Sequence, residues 1–210
     1  QINSKVLLQG FILGAMCNGI PFTLQSIAVV HIQSMSLGLL HSFIPIMTLV
    51  GSWVFIKQKQ QITKRTLVGV LLGLIGSIVL FLCEVPNSDQ PGTDYGYIIG
   101  FMSACINALG LIYANSLDLK KNIALPTIHV TSTLIYLIPI SLIVEPTYIY
   151  SFTLPNSNSI LAILVLAIPG TALAFLLYYK VLREDHGTVL STINYILPLS
   201  QIALGVAVLG

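Results

Sequence analysis

The sequence predicts an all-α fold, a polytopic transmembrane helix bundle, and three observations carry that reading. Hydrophobic residues fill 55% of the 210 positions and charged residues only 8%, far below the roughly 25% charged usage of soluble domains. The apolar residues gather into seven segments, at about 6–30, 35–56, 66–83, 95–116, 123–144, 159–182 and 187–210. Each is long enough to cross a bilayer core, which takes about 20 residues in a helix. All nine Lys and Arg fall at one end of these segments once the connectors alternate sides.

Taken in order, the first span follows Lys5 and carries Asn18 and Gln25. The second holds His41, Pro45 and Thr48 and ends in a basic connector with Lys57, Lys59, Lys64 and Arg65. The third has Gly69, Gly73, Gly76 and Ser77 on one face; the fourth has Gly96, Gly100, Ala104 and Ala108 at intervals of four, and Asn107. Small residues so spaced let helices approach closely in lipid, through intramolecular packing or through a homodimer face. Lys120 and Lys121 precede the fifth span, which contains His129. The sixth ends at Tyr178, Tyr179, Lys180 and Arg183, and the seventh holds Asn194, Tyr195 and Pro198. Connectors 31–34, 84–94 and 145–158 lack any cation. Cytoplasmic loops are enriched in Lys and Arg, so the residue 5 end is expected to be cytoplasmic. Backbone groups in lipid must pair internally, which makes these spans helices; a barrel would need shorter, alternating strands.

Gln1 in place of Met, and an apolar span still running at Gly210, lead us to expect that the chain continues at both ends. The cations are topology signals, so no nucleic-acid partner is implied; the partners expected are the lipid bilayer and a small-molecule substrate. Cys17, Cys83 and Cys105 show neither disulfide nor metal spacing. Four scattered His without metal-ligand spacing imply no metal site. Neither a nucleophile elbow nor a phosphate loop is present, so no enzyme, catalytic residue or cofactor is expected.

No Asp, Glu, Lys or Arg lies in the central part of a span. The polar groups that enter the core are uncharged or His, and each is costly in lipid without a partner or wet cavity. Pro45 cannot donate to the His41 carbonyl and Pro198 cannot donate to that of Asn194, so both prolines are expected to kink their helices. The two pairs stand 153 positions apart, an offset that also places Leu37 on Leu190 and Phe22 on Phe175. The first two spans thus recur as the sixth and seventh. An odd number of steps separates each span from its copy, which turns the copies upside down relative to each other. Inverted repeats are a construction habit of secondary transporters, with the substrate near the midplane.

The stretch Ser36–Ser77, with its mid-helix Pro45, short basic loop and LVGVLLGLIGS run, resembles the fourth and fifth helices of the EamA-type drug/metabolite transporter superfamily. Phe175–Gly210, with YYKVLRE and NYILPL, is similar to that family's eighth and ninth helices. The resemblance implies ten helices in two inverted five-helix repeats, of which this chain covers the third through ninth. Residues 1–84 then form the end of the first repeat, 85–94 an outside linker, and 95–210 the second repeat without its last helix. Where family members often carry an acidic residue after the fourth helix, this chain has Lys57-Gln58-Lys59-Gln60-Gln61.

The resemblance further implies a secondary transporter, an exporter of amino acids or related metabolites by alternating access, in the plasma membrane (a bacterial inner membrane). Its cavity-lining candidates are Asn18, Gln25, His41, Thr48, Asn107, Tyr178, Asn194 and Tyr195. His41 is the best candidate for proton coupling, because an imidazole changes charge near neutral pH. The alternative is a seven-helix receptor or sensor. A retinal protein would need a mid-membrane Lys in its last span, which has none, and a receptor would begin outside, against the charge pattern.

Overall fold

The computed structural model describes residues 3–55, 64–83, 92–117, 124–144 and 156–184. Every regular element among them is helical. The first span is α1 (Ser4–Leu13), a π-turn (Gly14–Gly19) and α2 (Ile20–Ala28); the second is α3 (Ser34–His41) and α4 (Ile44–Phe55). The third is α5 (Lys64–Cys83), the fourth α6 (Thr93–Asn115) and the fifth α7 (Leu125–Val144). The sixth is α8 (Ser157–Ala167), a second π-turn (Ile168–Leu173) and α9 (Ala174–Glu184). Five of these runs are long and apolar enough to cross a membrane, and the described part of the third has a shorter apolar stretch, Leu67–Gly76. The expected seventh span, with Asn194, Tyr195 and Pro198, lies outside the described residues, as do the linker at 85–91 and most of the basic loop.

The second span breaks where its proline dictates. The ring of Pro45 conflicts with a helical carbonyl four residues back. α3 therefore stops at His41, and the Ser42 N–H turns back to the Gly38 and Leu39 carbonyls, 3.1 Å away in each case. α4 restarts at Ile44, which puts Pro45 in a first turn, where a missing N–H costs nothing.

The centre of the bundle is α6. It contacts α2, α3, α4, α1 and the first π-turn, while α7 lies against α1 and that same π-turn. Small residues on α6 make this possible. A Cβ on Gly96 would sit 2.8 Å from His31 and Ile32, and one on Gly100 2.8 Å from Leu40. Ala104 and Ala108 are buried in a cluster with Ile44 and Leu111. The small face of the fourth span is thus used inside the bundle. On the third, nothing among the described residues comes within 4 Å of a Cβ on Gly69 or Gly76.

Residue-to-residue contacts give the helix directions. Gly10 meets Ile128, Gly14 meets Ser132 and Gly19 meets Tyr136, so the first and fifth spans run parallel. Ser36 pairs with Tyr97, His41 with Ser103 and Ser52 with Asn115, so the second and fourth are parallel too. Asn107 meets Cys17 and Gly96 meets Ala28, which makes the first and fourth antiparallel. One end of the bundle therefore gathers Lys5, Phe55, Asn115 and Leu125. Tyr179 joins Leu125 and Ala114 in the same apolar cluster, which brings neighbouring Lys180 to that end. The outer surface is apolar: Leu161, Val165, Leu166 and Leu176 are exposed, as a lipid-facing surface requires.

Candidate functional site

The site starts from a defect in the first span. Pro21 has no N–H to return to the π-turn behind it, in which Ile20 reaches back to the Ala15 carbonyl and the Cys17 carbonyl lies four residues before the proline. Asn107 of α6 donates to that carbonyl through Nδ2 at 3.0 Å. One turn away on the same face of α6, the Ser103 hydroxyl donates to the Pro21 carbonyl at 3.2 Å. Gln25 donates through Nε2 to Ser103 Oγ at 3.3 Å, and His41 Nε2 lies 3.4 Å from the same oxygen. Ser103 is fully buried. It ties together three spans, the first, second and fourth, at the depth where the second span breaks.

Of the expected lining residues, the structure brings Gln25, His41 and Asn107 into this one cluster. Asn18 is buried but faces the other way: its Nδ2 donates to Thr133 Oγ1 of α7 at 3.3 Å. Thr48 is buried two turns beyond His41, and its hydroxyl has no hydrogen-bond partner among the described residues. Tyr178 packs against two apolar clusters, one with Leu13 and Cys17 and the other with Ile44 and Ala108. The freed carbonyl at a proline, expected for His41, recurs in the first span at Pro21, which the same reasoning could have found. Ser103 carried a fainter signal, its place four residues before Asn107.

Tyr179 lies near a helix end but turns into the bundle. It is 4% exposed, and its hydroxyl forms a short hydrogen bond with His129 Nδ1. Phe175 closes on the same imidazole edge-on, with ring centroids 5.5 Å apart. His129 Nε2 has no partner among the described residues. His129 and Tyr179 join the fifth and sixth spans.

An uncharged polar cluster of this kind, set among helices with an apolar exterior, defines the class: a multi-pass integral membrane protein. Residues 1–82 match the EamA-like transporter family, so the resemblance read from the second and third spans holds over the first three. The chain is also similar to Protein PecM of Dickeya dadantii (strain 3937), 22% identical over 198 residues. That alignment takes in 93% of this chain and 63% of PecM, so the chain spans less than two thirds of the length of this curated relative. No solved structure matches.

Proposed function

We propose that this chain forms most of the cargo pathway of a secondary transporter that exports a small polar metabolite, such as an amino acid or a related compound. The observation that carries this reading is the Ser103 cluster. Polar side chains from three helices meet at a broken helix and a proline-freed carbonyl, with no fixed charge among them. Polar groups at such depth are costly, and by default mark a path for solute. The match to EamA-like transporters supports the same reading.

Alternating access would come from two inverted repeats, residues 1–84 and 95–210 joined by 85–94, with Asn194 and Tyr195 completing the wall from the seventh span. The two π-turns support this plan. They start 154 residues apart, one position from the 153-residue offset of the sequence echo. The membrane would be the plasma membrane, with the residue 5 end cytoplasmic. Efflux measured in a strain lacking the gene, with and without the full-length protein, tests the reading. We expect retained intracellular metabolite to fall on complementation, and Gln25→Ala or Asn107→Ala to abolish most of the difference. An unchanged metabolite profile would remove the proposal. If His41 couples transport to protons, His41→Gln flattens the pH dependence of efflux; an unaltered profile excludes that role.

A further inference from the structure

Each polar side chain of the Ser103 cluster has its orientation forced by a backbone oxygen. A carbonyl can only accept, so Asn107 must turn its NH2 to Cys17 and not its Oδ1. Ser103 gives its single proton to the Pro21 carbonyl, and its oxygen can then only accept from its neighbours. Gln25 must therefore present Nε2 to it, and His41 must be the tautomer protonated at Nε2. Chains of donors end on carbonyls, and most of what is left over is acceptor.

What remains is weighted toward acceptors. No hydrogen bond among the described residues reaches Gln25 Oε1, Asn107 Oδ1 or His41 Nδ1. Each amide keeps one N–H and both lone pairs of its oxygen, while the neutral imidazole keeps only a lone pair. Asn18 follows the same rule toward α7. Thr133 gives its proton to the His129 carbonyl at 3.0 Å, so Asn18 must donate to it, and no hydrogen bond among the described residues reaches its Oδ1.

From this we infer that the cluster receives the hydrogen-bond-donating part of its cargo, an amine, amide or hydroxyl group, and disfavours a carboxylate or phosphate. An anion would face three acceptor atoms against two amide N–H groups, with no cation in the cluster among the described residues, and an acceptor that meets another acceptor forfeits the desolvation of both groups. For an amino acid, the ammonium end would sit here. The inference rests on the transporter reading and narrows it to a cargo chemistry.

Two measurements test it. The full-length protein, in inside-out membrane vesicles, is offered putrescine, succinamide and succinate, which share a four-carbon skeleton and differ in their end groups. We expect uptake of putrescine or succinamide at least tenfold above that of succinate, after subtraction of vesicles without the protein. Uptake of succinate equal to or above the others overturns the inference alone. Failure of all three to enter counts against transport itself, and against the inference with it. Independently, nitrogen NMR of the histidine-labelled full-length protein reads the His41 tautomer, assigned by its loss in His41→Gln. An unprotonated Nδ1 and a protonated Nε2 are expected, with the preference lost in Ser103→Ala. A proton on Nδ1 overturns the inference even where transport is intact.

Discussion

Asn107 and Pro21 compensate each other: one lacks a donor and the other supplies it. Asn107→Ala should lower stability in detergent by about 1 kcal/mol, the usual worth of an interhelical hydrogen bond in membrane proteins. In a Pro21→Ala background the loss should shrink, because an N–H is restored near the Cys17 carbonyl; equal losses in both backgrounds would break the link. His129 and Tyr179 make a second pair. Removing one buried partner strands the other, whereas replacing both with apolar groups is nearly neutral. Tyr179→Phe should therefore cost about 1–3 kcal/mol, and His129→Leu combined with Tyr179→Phe less than the single change, read from thermal melts. The sequence made Gln25, His41 and Asn107 legible because polar groups stand out in an apolar span. It hid Ser103, since a lone serine in a membrane helix usually bonds its own backbone, and only the tertiary fold shows that Ser103 does otherwise. Tyr179 was concealed by its neighbour Lys180, which marks a helix end but does not say which way the ring turns.

The helices show the same division between what local chemistry decides and what packing decides. The break in the second span is written into Pro45, because the clash involves residues only four positions apart. The π-turns are not so written, since many sequences with Gly and Pro remain α-helical. Glycine spacing predicted close approach but not its location. Gly110, outside both expected small faces, is a point of very close contact: a Cβ there would stand 2.7 Å from Cys17 Sγ and 3.1 Å from the Cys17 backbone nitrogen. Gly110→Ala should cost about 1–3 kcal/mol through overpacking. Gly69→Ala, with nothing among the described residues within 4 Å, should leave the melting temperature unchanged or raise it slightly, as alanine favours helix over glycine. Equal effects at the two positions would contradict this packing.

Across the whole molecule, the charge pattern and the helix directions are independent readings that coincide. The charges assign Lys5 and Lys180 to one side from sequence alone, and the contacts bring both to one end of the bundle. Sidedness can be checked by single cysteines in a Cys-free background, labelled with a membrane-impermeant thiol reagent. Gln33→Cys should be modified in intact cells, and Lys5→Cys only after permeabilisation; the reverse pattern would invert the topology. Fold class was legible because lipid leaves few alternatives to the helix. The arrangement of helices was not, because lipid is as apolar as the side chains and hydropathy does not distinguish a buried face from a lipid-facing one.

The π-turn at Gly14–Gly19 has a consequence for heredity as well as for chemistry. A π-turn holds one residue more than the α-helix would use over the same length. Losing a single codon within it would return the span to ordinary winding and leave the side chains on either flank facing as before. Elsewhere in a membrane helix such a loss swings everything beyond it by about 100°. Deletion of Ala15 should therefore yield a folded protein, whereas deletion of Ala108 should not. The places where the chain winds loosely are also those where its length can change.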